Sequence, residues 1–214
     1  SNIIGVFMSG IIAQNTLDSS GLIKAPEGGG AWNFIKKLTA SGDSDLTMVN
    51  GTDDVVLDST YKVYLFTFTN VHPSASPHAR LEFNLSDDTG STFAVTKTSN
   101  CARAEQNESG SAGSFGYNTA LDLAESTSNQ PLGSSLGSDN DQNTSGYLHL
   151  FNPSSTTFVK HYIARVNETN YNDSSFDCLY GGYANTTSAI DGIKVQMASG
   201  NIDAGDFCLY GLTT

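Results

Sequence analysis

The chain has 214 residues, enough for one large β domain or one domain with an arm, and 38% apolar residues supply a core, which excludes wholesale disorder. Its formal charge is −12, with 10 basic residues against 22 acidic ones, so no nucleic-acid partner is expected and an anionic membrane surface would repel it. No apolar run reaches the length of a membrane span, and abundant Ser, Thr and Gly favour strands and loops over helices.

The first segment, SNIIGVFMSGII (1–12), is apolar and has no basic flank, so it does not read as a signal peptide; the expectation is synthesis in the cytosol without Sec export. Residues 1–30 end in Pro26 and the triplet Gly28, Gly29 and Gly30, which reads as a hinge. This stretch is either an arm that docks on a neighbouring subunit through Ile3, Ile4, Val6, Phe7, Ile11 and Ile12, or a loosely ordered terminus. The domain proper is expected over 31–214.

AWNFIKKLTA (31–40) fits a strand or a helix, and its β-like neighbours favour the strand. YKVYLFTFTN (61–70) is apolar on both faces, as a central strand is. RLEFNLS (80–86) alternates, with Leu81, Phe83 and Leu85 on one face and Glu82 and Asn84 on the other. DDTG (87–90) then predicts a turn, and STFAVTK (91–97) the return strand of a hairpin. Residues 98–146 break the rhythm and predict surface loops, with a brief helix in NTALDLAES (118–126). YLHLFN (147–152), FVKHYIARVN (158–167) and AIDGIKVQM (189–197) resume it. The four letters CLYG occur at 178–181 and again at 208–211; both copies read as packed strands in which cysteine is a small apolar residue. In the second copy Phe207 and Leu209 point one way, and Cys208, Tyr210 and Leu212 the other. About eight strands with no βαβ alternation predict an all-β antiparallel sandwich of jelly-roll type with an N-terminal arm.

Chemistry finds little purchase. Cys101, Cys178 and Cys208 are an odd set, so at least one thiol is free; a Cys178–Cys208 bridge requires neighbouring strands. GSSLG (133–137) matches G-x-S-x-G in letters but lies in a Gly/Ser/Asp loop, without the strand and helix of a nucleophile elbow. Asp139, Asp141 and Asn143 open like a calcium loop, yet Thr144 and Leu150 occupy the positions that need Gly and Glu; a weak site on Asp139 and Asp141 stays open. His72, His78, His149 and His161 carry no zinc spacing. No catalytic residue, metal site or cofactor is therefore assigned. Tyr117, Tyr147, Tyr171, Tyr180 and Tyr183 lie in or near loops, where exposed rings stack on sugars or anchor a protein partner.

The closing segment IDGIKVQMASGNIDAGDFCLYGL (190–212) resembles the end of small virion structural proteins of tailed bacteriophages, especially marine ones, which close on a strand, an SGNI-x-x-G turn and a final LYG. GGGAWNFIKKLTAS (28–41), YKVYLFTFTNVHPS (61–74), LEFNLSDDTGSTF (81–93) and GYLHLFNPSS (146–155) fit the same pattern. The resemblance spans 28–214 discontinuously and does not extend to the arm. It consists of strand-and-turn patterns, not a catalytic signature. It implies a jelly-roll-like virion protein, often a homotrimer, that is not an enzyme. The first expectation is a capsid decoration (cement) protein that stabilises the shell by contacts with its own copies, the major capsid protein or other virion proteins. The second is a tail-fibre or receptor-binding domain that recognises host surface glycan.

Overall fold

Period-two burial dominates the chain. In KHYIARVNET (160–169) alternate residues are buried and exposed along the strand, and SSFDCLYGGYA (174–184) begins with the same alternation. The computed structural model describes residues 31–74 and 79–213; the expected arm and its six apolar residues, and His78, lie outside the described residues. The described strands are β1 (Trp32–Ala40), β2 (Asp45–Val49), β3 (Val63–Pro73), β4 (Leu81–Ser86), β5 (Lys97–Asn107), β6 (Gly113–Tyr117), β7 (Gln130–Pro131), β8 (Thr144–Phe151), β9 (Lys160–Thr169), β10 (Ser174–Ala184), β11 (Gly192–Met197) and β12 (Ile202–Leu212).

They form two antiparallel sheets packed as a β-sandwich. The large one has eight strands in the order β1-β12-β3-β8-β9-β10-β5-β6, and the small one has four in the order β2-β11-β4-β7. Strands β5–β6 and β9–β10 extend the large sheet beyond β8. Without them, two four-strand rows remain, β1-β12-β3-β8 and β2-β11-β4-β7, and the chain passes back and forth between them.

The core lies between these rows. Phe66, Phe68, Leu148, Phe207 and Leu209 of the large sheet meet Met48, Phe83, Leu85, Ile193 and Val195 of the small one. Phe68 and Phe207 stack with ring centroids 5.3 Å apart, and Phe83 meets Tyr162 edge-on at 5.3 Å. Each such side chain contributes about 1.5–3 kcal/mol of burial free energy. Gly205, at φ +123° in an irregular stretch of β12, lets the backbone run against Val71, whose Cα would lie 2.6 Å from an added Cβ.

Several sequence expectations change. Residues 91–97 do not return along β4. One edge of β4 is taken by β11 and the other, at Glu82 and Phe83, by β7, so the chain makes a single bond to β4, Val95 N to Leu85 O (3.3 Å), before it continues and pairs as β5 with β10. The turn is instead held by side chains. Ser86 Oγ donates to Asp88 Oδ1 (2.9 Å) and accepts from Gly90 N (2.9 Å), while Asp88 Oδ1 also accepts from Thr92 N (2.9 Å). Segment 118–126 is not helical. With the residues up to 137 it roofs the inner face of the sheet extension, burying Leu121, Leu132 and Leu136. Gln130 fastens this roof by accepting from Tyr162 Oη (2.9 Å) and donating to Leu121 O (3.1 Å). Glu82 and Asn84, on the face of β4 opposite Leu81, Phe83 and Leu85, are buried beneath 127–131: Asn84 Nδ2 donates to Thr127 O (3.0 Å). Cys178 faces inward on β10 and Cys208 outward on β12, with three strands between them, so no bridge forms and all three cysteines are free.

Candidate interaction face

The outer face of the large sheet carries an apolar ladder. Pairing across five strands aligns Phe34, Tyr210, Leu65, His149 and Ile163 in one row. Two residues along, Trp32, Leu212, Val63 and Phe151 align in a second. Seven of the nine have neighbours in the strand that pack into the core, so the pleat turns them outward, and Trp32 and Leu212 share their face through the register with Val63. Phe34, at one end of the first row, is 60% exposed and Ile163, at the other, 52%, while Tyr210, Leu65 and His149 between them are half-buried.

The rings are ordered against one another. Trp32 stacks on His149 (5.6 Å, 10°), Phe34 meets Tyr210 edge-on (5.7 Å), and Tyr147 tilts against His149 (5.2 Å). Partial burial holds the His149 imidazole below its usual pKa, so at pH 7 it stacks as a neutral ring. His161 contacts Tyr183 (6.0 Å) farther along the same face.

Beside the ladder, Ser145, Gly146, Tyr147, Arg165, Asn167 and Asp177 line a shallow depression of about 360 Å³. Arg165 grips Asp177 with two nitrogens, Nε to Oδ1 at 2.9 Å and Nη2 to Oδ2 at 2.7 Å. This pair leaves the depression with planar polar groups and no net charge, next to a half-exposed tyrosine ring.

The other sequence candidates are dispersed. The 133–137 loop is a carboxylate holder: Ser134 N and Ser135 N both donate to Glu168 Oε1 at 2.8 Å. Glu168 is fully buried, its Oε2 has no hydrogen-bond partner, and burial raises its pKa. Asp139 sits in a turn that accepts from Gln142 N (2.8 Å), and its carbonyl lies 3.2 Å from His72 Nε2; Asn143 Nδ2 donates to Asp141 O (3.4 Å). Among the described residues no three His, Cys, Asp or Glu side chains converge on a metal position. Cys101 and Cys178 hydrogen-bond inside the core, where that bond and burial push the Cys178 thiol far up. Of the five tyrosines, Tyr117, Tyr147 and Tyr171 are exposed and Tyr183 is half-buried, whereas Tyr180 faces the core.

Sequence reasoning missed two buried lysines. Lys97 and Lys160 flank Ala184 across the ends of β5, β10 and β9. Lys97 Nζ donates to Asn84 Oδ1 (2.5 Å) and Val95 O (2.7 Å), and burial lowers its pKa to about 7. Lys160 Nζ donates to Thr186 O (3.1 Å) and to Ser188 O. The ladder was also missed as a unit; its signal is YLHLF (147–151), where the residues alternating with core leucines are themselves aromatic.

Comparison with family models, curated proteins and solved structures finds no match to this chain.

Proposed function

We propose that this chain is a non-enzymatic structural protein of a bacteriophage virion, a capsid decoration (cement) protein that stabilises the shell through subunit contacts. The observation that carries the reading is the outer-face ladder, an ordered apolar surface of the kind that marks protein–protein contact. The strand order is consistent with it: without the two inserted hairpins, the eight remaining strands pass back and forth between two four-strand sheets, and we read this as a jelly-roll-like sandwich, an architecture shared by capsid and lectin domains. In this reading the copies form a homotrimer through the ladder. The 1–12 segment, with Ile3, Ile4, Val6, Phe7, Ile11 and Ile12, reaches a neighbouring copy or the major capsid protein. Cryo-electron microscopy of native particles tests it: hundreds of copies on the shell, in threefold clusters, are expected, and absence from the shell rejects it.

A second reading, a receptor-binding or fibre domain that grips glycan, has its own support in the depression beside Tyr147. A pyranose ring stacks on an aromatic face while Arg165, Asn167 and Asp177 meet its hydroxyls. Glycan-array binding that disappears with Tyr147→Ala, in a variant of unchanged melting temperature, would favour this reading.

A further inference from the structure

Four strands end the two sheets, and they are not protected alike. At one edge of the large sheet, β1 carries Lys36, Lys37 and a register shift between Phe34 and Lys36. In the small sheet, β7 is two residues long and contains Pro131, and β2 opens with the exposed Asp45. These are the devices that prevent edge-to-edge pairing. The remaining edge, β6, has none. GSFGY (113–117) contains no charge, no proline and no bulge; all five residues are exposed, with Phe115 at 74% and Tyr117 at 61%.

The pairing of β6 with β5 fixes which backbone groups are free. Asn107 N donates to Ala112 O (3.1 Å), and Asn118 N to Cys101 O (2.9 Å). Even-numbered positions of this strand therefore bond to β5, and the N–H and C=O groups of Gly113, Phe115 and Tyr117 point away from the sheet. These same three residues carry their side chains on the outer face, because they pair with Gln106, Ala104 and Ala102.

We propose that β6 pairs with β6 of a second copy of this chain, antiparallel about a two-fold axis through Phe115. In this register Phe115 faces its own equivalent, and Tyr117 covers Gly113 of the other copy. An aromatic side chain laid over a cross-strand glycine is a stabilising pair. The three outward backbone positions complete about six hydrogen bonds between copies. A chain of net charge −12 repels its copies, and the strand used for contact is uncharged throughout, so no like charges face each other within it. The two-fold contact uses a surface separate from the ladder and does not depend on the virion reading; the large sheets of two copies join into one continuous sheet.

The test is self-crosslinking of the full chain in a Cys208→Ser background, which leaves only the buried native thiols. Across a hydrogen-bonded antiparallel pair the Cα atoms lie about 5.5 Å apart, within disulfide reach. Phe115→Cys, oxidised with copper–phenanthroline, is expected to give a disulfide-linked dimer on a non-reducing denaturing gel. Ser114→Cys, which faces Gly116 across the axis, is expected to give at least about fivefold less. Equal yields at 114 and 115, or no dimer at 115, overturn the proposal. As a second measurement, Phe115→Lys is expected to weaken concentration-dependent pairing by about tenfold or more in sedimentation velocity, with an unchanged melting temperature. Unaltered pairing in that variant also overturns it.

Discussion

Replacing Lys97 with methionine should flatten the dependence of stability on pH. Lys97 is fully buried, and its pKa falls from 10.5 in the open chain to about 7 in the fold. The unfolded chain therefore keeps a proton that the folded chain releases between those values. Where the unfolded state binds more protons, stability rises with pH, so the native protein gains as pH climbs through 7 and pays the full penalty below it. Linkage with these two values gives a gain of about 3 kcal/mol between pH 6 and pH 9 from this one group. Lys97→Met keeps most of the volume and removes the titration, although it leaves Asn84 Oδ1 and Val95 O without their donor, at a cost of about 1–3 kcal/mol each. That cost does not depend on pH, so the slope isolates the ammonium. Urea unfolding of both proteins at pH 6, 7, 8 and 9 measures it, because every other group contributes equally to the two curves. Parallel curves would show that the buried amine stays charged throughout and would refute the argument.

Glu168 has the opposite sign. Its pKa is raised, so the unfolded chain ionises first as pH rises above 4.5, and stability is lost over the range up to the folded value. Glu168→Gln should therefore gain on the native protein between pH 4 and pH 7 in thermal melts, and a constant difference would count against the burial argument. Ile163→Glu, on the open part of the ladder, should change stability by no more than about 0.5 kcal/mol while reducing trimer formation by at least about tenfold in native mass spectrometry. An unchanged trimer would move the assembly surface elsewhere. Gly211→Ala places a methyl 2.2–2.5 Å from Tyr61 ring atoms, so a loss of about 1–3 kcal/mol is expected, recovered in part by Tyr61→Ala. Chemical denaturation of the single and double variants checks both steps.

What the sequence made legible depended on how each strand meets its neighbours. β3, β9 and β12 alternate or are apolar throughout, and their positions followed from that; in β12 the alternation also separated Phe207 and Leu209 from Cys208, Tyr210 and Leu212. β5 did not, because KTSNCARAEQN places Lys97, Cys101 and Arg103 inward, a series in which only cysteine reads as apolar. The hairpin after β4 failed for a reason no local pattern contains: turn residues signal a reversal, while pairing depends on which edges distant strands have already filled. The roof leucines at 121, 132 and 136 follow neither strand nor helix spacing, so they looked like surface. The ladder was visible only as strands apolar on both faces; nothing in the letters said which face the small sheet would cover.

The CLYG echo makes the same point at single-residue scale. Cys178 and Tyr180 face the core while Leu179 faces outward; thirty residues on, Leu209 faces the core while Cys208 and Tyr210 do not. Identical letters in opposite phase are not a structural repeat.

The large sheet overhangs the small one, and this divides the interior into two compartments of unequal security. Beneath β12, β3 and β8, exposing the core means separating two layers, with the stacked rings of Phe66, Phe68 and Phe207 on one side and Met48, Leu85, Ile193 and Val195 on the other. Beneath β9, β10 and β5, much of the covering is a single irregular pass of chain. That lid can lift by itself, as a sub-global opening cheaper than complete unfolding. Deuterium should accordingly reach the backbone amides around Leu121 and Leu132 well before those of Phe66 and Phe207, and solvent should meet the ionisable groups under the overhang while the sandwich beside them is still closed.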